Sequence, residues 1–273
     1  MKKINKEEKV IMRQKKKLKN MEEKLIQKKD DSFLKDKIKP IKSKVENKIP
    51  QKVTEGINKA FEKGFNIIFE KGTSVIEKSY NAGRLKDEAD INRYILKKEI
   101  NSRNLRKMDK GVNKVNMMNH GLTAVEGTAL GFLGIGFPDI PIFISVILRT
   151  IYEICLNYGF EYDNDKEKAF ILNVICAGVS DKNDRKKFSD ECDRIAHDIE
   201  SGADFDTDIE NMTKETSKRL VDSLLVSKFI QGIPVVGVVG GAANYIVLNN
   251  ISRMAKLKYK KRFIDKISLE KKA

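Results

Sequence analysis

Ser145, Arg149, Glu153 and Asn157 recur at four-residue intervals, which places them in one polar row on a helix that is otherwise apolar. A guanidinium and a carboxylate one turn apart form an ion pair. Arg before Glu is the less favourable order, so helix stability alone gives little reason for the pair. Glu126, Asp139 and Asn244 are further polar residues set in apolar stretches. Buried charges need partners, and Glu126, Asp139, Arg149, Glu153 and Asn244 form a candidate buried polar cluster. Its members either satisfy helix ends and one another or, should the side chains converge, supply a small-ligand or hydrolase-like site.

Spacing argues against other chemistry. His120 and His197 have no companion at metal-ligand spacing. Cys155, Cys176 and Cys192 are odd in number and widely separated, with no CxxC pair, which fits a reducing compartment better than a disulfide framework or a zinc site. The run GFLGIG leads into Phe-Pro with no Lys-Ser/Thr after it, so it is not a phosphate loop, and there is no GxSxG elbow. The residues therefore predict no metal site, no cofactor and no recognisable catalytic centre.

The elements that must position these residues are helices. The 273-residue chain is 40% hydrophobic and 34% charged, with only 5 Pro, and β-branched and aromatic residues do not dominate its apolar set. This predicts an all-α fold: a multi-helix bundle with two central Gly-rich apolar helical hairpin segments and a separate basic N-terminal helix. In that helix Ile4, Ile11, Leu18 and Leu25 recur every seven residues as a thin apolar stripe. Pro40 and Pro50 punctuate the chain after it, giving a basic tail and linker over residues 1–50 and a folded body over 51–273.

Within the body, Val53, Ile57, Phe61, Phe65, Ile68 and Phe69 mark one helical face, with Gly72 or Gly83 as helix ends. Ile91, Tyr94, Ile95, Ile100 and Leu105 continue the amphipathic pattern. Gly127, Gly131 and Gly134 share a helix face, as do Gly237 and Gly241, and such small-residue strips let helices approach closely. Residues 141–157 are apolar nearly all round, the mark of a buried helix. Residues 181–210 are acidic and expected to be exposed. A helix is expected from about Phe205 to Lys228, and the chain ends in a basic helix around LKYKKRF.

Thr128–Leu148 and Ile230–Leu248 approach the length and apolarity of membrane spans, but the first is broken by two prolines around Asp139. The second has only 14 residues after Pro234, about 21 Å of helix against a hydrocarbon core of about 30 Å. Buried hairpins account for both, the alternative being hairpins that dip into or reversibly insert in a bilayer. The N-terminus lacks the continuous apolar run of a secretory signal, which places the chain in the cytoplasm.

The formal charge of +15 is unevenly spread: residues 1–52 carry 19 Lys/Arg against 8 Asp/Glu, and residues 253–272 carry 9 against 2. Two basic ends on a near-neutral middle suit an anionic surface. With no Trp and 7% aromatic residues there are few stacking platforms, so nucleic acid is the least favoured partner.

The segment EGTALGFLGIGFPDIPIFISVILRTIYEICLNYGFEYDNDKEKAFILNVI, followed by IPVVGVVGGAANYIVLNNISRMAKLKYKKRF, resembles the EcsC family of bacterial proteins over about 80 residues. The specific features are the order of glycine helix, Pro-Asp-hydrophobic-Pro, Arg-x-x-x-Glu, Tyr-Gly and a later Pro-Val-Val-Gly. The resemblance implies a protein of the kind noted beside an ABC transporter operon that affects secretion, with no established activity. It carries Asp139, Arg149, Glu153 and Asn244 over as pattern residues, not as catalysts. Together these readings predict a non-enzymatic accessory or scaffold protein, peripheral at the inner face of the cell membrane. Its partner would be anionic lipid or a membrane complex such as an ABC transporter.

Overall fold

The computed structural model describes residues 5–27, 51–71, 74–112, 139–230 and 241–271. Among these residues every regular element is a helix: α1 (Lys6–Gln27), α2 (Gln51–Lys71), the single turn α3 (Ser74–Glu77), α4 (Ala82–Lys98), α5 (102–112), α6 (Asp139–Asn157), α7 (Asp165–Val179), α8 (Lys182–Ser201), α9 (Ile209–Ile230) and α10 (Gly241–Glu270).

Local side chains set several boundaries. Asn81, Asn164 and Asp181 accept from the backbone N–H three residues on, capping α4, α7 and α8. Gly159, at φ +73°, turns the chain after α6, and Gly202, at φ +70°, ends α8 in the left-handed conformation that glycine adopts without strain. Gly83, expected as a helix end, instead lies in the first turn of α4 behind the Asn81 cap. Likewise α9 starts at Ile209, because the Asp208 carboxylate accepts from the Asn211 N–H, and Phe205 stays in the preceding loop.

α6 and α7 form the centre. Ile144, Ile147, Leu148, Ile151 and Ile154 of α6 and Phe170, Ile171, Leu172, Val174 and Ile175 of α7 have no solvent exposure. α6 is also long and apolar enough to cross a membrane by length and composition, with 67% of its window Ile140–Asn157 buried inside the bundle. α10 runs antiparallel to α7, since Arg262 meets Glu167 at one end and Gly178 meets Ile251 at the other. A methyl group on Gly178 would lie 2.7 Å from the Ile251 Cα, so only glycine permits this approach.

The glycines expected to perform that role, Gly127, Gly131, Gly134 and Gly237, lie outside the described residues, and Gly241 is the first residue of α10. Gly178, in the run CAGVS, performs it between α7 and α10.

Residues 181–210, expected to be exposed, are not simply so: α8 buries Arg185, Phe188, Ser189, Cys192 and Ile195 against its neighbours, leaves Asp190 exposed and turns Asp193 and Glu200 toward the basic residues of α10. Ile91 and Tyr94 are each 60% exposed, because Leu85, Ala89 and Leu96 form the inward face of α4. Val53 is also exposed, while Phe61, Phe65 and Ile68 on the same helix reach the core.

The N-terminal helix lies against α10 and α8, with Ile11 and Leu18 buried in the common core and Leu25 packed against it. The heptad stripe is thus an inward face. Ile4 and the linker after α1 lie outside the described residues.

Candidate functional site

Arg149 and Glu153 do pair, Nε to Oε1 at 3.3 Å, near the middle of α6. Ser145 and Asn157, the other members of the polar row, bond back onto their own helix: Ser145 Oγ donates to the Pro141 carbonyl at 2.8 Å and Asn157 Nδ2 to the Glu153 carbonyl at 2.7 Å. Asp139 opens the same continuous helix ten residues before Arg149, about 15 Å of axial rise at 1.5 Å per residue. That separation exceeds any shared hydrogen-bond network, so the helix keeps Asp139 away from the Arg149–Glu153 pair. The Asn244 side-chain oxygen is buried with no hydrogen-bond partner among the described residues, and Glu126 lies outside them.

Arg149 has a further neighbour from elsewhere in the chain. The Arg149 guanidinium lies 5.9 Å from the centre of the Tyr80 ring. Tyr162 Oη donates to Glu77 Oε1 at 2.5 Å and lies 2.9 Å from Tyr80 Oη, so Tyr80 must be the donor to Tyr162. Tyr152 stacks on Tyr162 with ring centres 4.1 Å apart.

Burial raises the pKa values of Tyr80, Tyr152 and Tyr162 well above the ordinary phenol value, and Glu77 pushes that of Tyr162 higher still by accepting its proton in a hydrogen bond. The phenols stay neutral. This chain of Tyr80, Tyr162 and Glu77 ties the α3–α4 turn to the loop after α6, which is a structural role. Sequence reasoning missed it because Glu77 and Tyr162 are 85 residues apart.

A larger polar cluster joins α1, α8 and α10. The Lys258 side chain is 1% exposed, and its ammonium donates to the Glu22 carboxylate, to Asp193 Oδ1 at 2.8 Å and to the Ser189 carbonyl at 2.8 Å. Lys261 spans the same two acids at 2.9 and 2.6 Å. Burial alone would raise the pKa of Glu22, but the Lys258 and Lys261 charges outweigh it and hold the carboxyl at about 2.

Along α10, Arg262 makes a two-pronged contact with Glu167 at 2.9 and 2.7 Å, reaches Glu200 at 2.9 Å and lies over the Phe160 and Phe170 rings. Lys260 meets Asp109 at 2.6 Å. The basic C-terminal helix is therefore not a solvated tail: Lys258, Lys260 and Arg262 are buried and neutralised inside the bundle. Lysines and arginines look alike in a sequence whether they point inward to acids or outward to water.

No group of three or more metal-binding side chains occurs among the described residues. His197 is 80% exposed beside Asp198, and His120 lies outside the described residues. All three cysteines are free and buried. Burial pushes each thiol pKa up, that of Cys176 to about 12, which removes the thiolate a nucleophile or ligand needs.

Comparison with known proteins is decided by one match, that of the EcsC protein family over residues 12–264. The chain belongs to the EcsC family. The match takes in most of α1, to which the motif resemblance does not extend. Among similar proteins, the uncharacterised protein YdbA of Bacillus subtilis (strain 168) is 28% identical over 149 residues, covering 51% of this chain and 52% of the relative. Protein EcsC of the same organism is 26% identical over 173 residues, covering 59% and 65%. The chain thus spans between half and two thirds of the length of these relatives. No solved structure matches it.

Proposed function

We propose that this EcsC-family chain is a non-enzymatic accessory or scaffold protein that works at the periphery of an anionic membrane. One observation carries the reading: the basic residues that α10 buries in the bundle are matched by acids, so among the described residues the cations left without an acid are those that face outward. Lys258 is matched by Glu22 and Asp193, Lys260 by Asp109, Arg262 by Glu167 and Glu200, and Arg149 by Glu153. An outward cationic surplus attracts anionic lipid at about 1 kcal/mol per Lys or Arg near the surface.

The polar groups of α6 support the non-enzymatic part of the reading, since Ser145, Thr150 and Asn157 bond back onto their own helix, Arg149 pairs with Glu153, and the tyrosines and cysteines around them are held neutral. The resemblance implies a membrane complex, of which an ABC transporter is the example, as the assembly served.

Flotation of the full chain with vesicles tests the proposal. The expected result is co-flotation with vesicles rich in phosphatidylserine or phosphatidylglycerol at low salt, and none with neutral phosphatidylcholine. A chain that ignores both lipids at low salt and fractionates as freely soluble in cells overturns it.

A further inference from the structure

On the proposed reading that the chain works at an anionic membrane, the geometry points to one docking surface: the outward face of α1, bound flat to the lipid headgroups by charge, with the helix remaining packed on the body.

At 100° per residue, Lys6, Lys9, Arg13, Lys16, Lys17 and Lys24 fall within a sector about 100° wide, opposite Ile11 and Leu18. All six are exposed, and no Asp or Glu of α1 lies inside the sector. Arg13, Lys16, Lys17, Asn20, Met21 and Lys24 line a single shallow groove. Among the described residues none of the six cations has an ion-pair partner, whereas Lys15, well outside the sector, is paired with Asp265 at 2.7 Å. From Lys6 to Lys24 the row is about 27 Å long at 1.5 Å per residue.

Which face of α1 points outward is decided by its inner contacts. Ile11 is 6% and Leu18 2% exposed, Glu22 is held by Lys258 and Lys261, and Glu7 accepts from the Ile100 N–H at 2.8 Å and meets Lys271 at 3.0 Å. An ordinary amphipathic anchor buries its apolar stripe in the acyl region. In α1 that stripe is consumed by the protein core, so electrostatic attraction is the contact left to it.

Lipid fits this face better than nucleic acid does. α1 has no aromatic residue to stack a base, and five of the six cations are lysines, which act as point charges and lack the paired donors of arginine. Lys258, Lys260 and Arg262 of α10 cannot share the role, because they are enclosed by their acids.

The test compares the full chain with R13Q/K16Q/K17Q/K24Q, and with the control K52Q/K59Q/K86Q/K97Q, which removes the same charge from exposed positions on α2 and α4. Vesicles of phosphatidylserine and phosphatidylcholine, at low and high salt, are the probe, and circular dichroism melts confirm that each variant is folded. At about five-fold per cation removed, the α1 variant should lose several hundred-fold in partitioning at low salt, the control much less, and high salt should release the full chain.

If the unaltered chain does not bind vesicles at all, the membrane reading itself fails. If it binds and both quadruple variants weaken equally, the membrane reading stands and the assignment to α1 is overturned. Salt-resistant binding abolished by Ile11 or Leu18 substitution also overturns it, since α1 would then detach and insert. Stronger binding to an RNA or DNA duplex than to vesicles overturns the choice of lipid.

Discussion

At the scale of single residues, the bundle depends on charges that have left water. Lys258 is held by three oxygen-bearing groups from two helices, Glu22, Asp193 and the Ser189 carbonyl, and removing one member of such a set leaves a buried charge short of a partner. Glu22→Gln should therefore lower stability at pH 7 by about 1–3 kcal/mol. The pH dependence has a definite sign. The Glu22 carboxyl lies at about 2 in the folded chain, below its ordinary value of 4.5. Its contribution is complete above about pH 4.5 and is lost as pH falls toward 2. Denaturant unfolding between pH 7 and 3 should show the unaltered chain losing stability below pH 4.5 more steeply than Glu22→Gln, and parallel curves would contradict the Glu22 assignment.

At the scale of elements, α1 is a structural member of the body. Its stripe supplies two residues to the common core, its acids bind Lys258, Lys261 and Lys271, and Arg185 of α8 donates to the Leu25 carbonyl at its C-terminal end at 3.1 Å. Leu18→Ala should lower the stability of the whole bundle by about 2–4 kcal/mol, the cost of truncating a buried leucine. Lys16→Ala, on the exposed face of the same helix, should change it by no more than about 0.5 kcal/mol. Equal unfolding midpoints for Leu18→Ala and the unaltered chain would mean that α1 is an independent tail. Close approach of α7 and α10 through Gly178 belongs to the same scale, because the residue matters only for the distance between two axes.

At the scale of the whole molecule, Cys155, Cys176 and Cys192 sit on α6, α7 and α8, and all are shielded by the same core. Burial raises the pKa of all three thiols. A chromogenic disulfide reagent at pH 8 should find no reactive thiol in the native chain and three in denaturant, with all three appearing together at the unfolding transition. A thiol that reacts rapidly in native buffer would show that one helix opens by itself. The all-α class, the buried α6, the apolar face of α2 and the stripe of α1 were legible in the sequence, because each depends on a period of about 3.6 residues within one element, but that the α1 stripe packs into the body and not outside it was not. The Arg149–Glu153 pair was legible for the same reason. The destination of the basic C-terminal helix was not. Whether Lys258 and Arg262 face lipid or acids depends on Glu22, Asp193, Glu167 and Glu200, which lie 62 to 236 residues away and reach them only when α1, α7 and α8 close around α10. Composition and periodicity determined that helices form and, for the strongly apolar ones, which face is buried; on α4, where Ile91 and Tyr94 turned out exposed, they did not. Only the tertiary structure decided which charges cancel, because a charge is neutralised by what lies within a few ångströms of it and not by its neighbours along the chain.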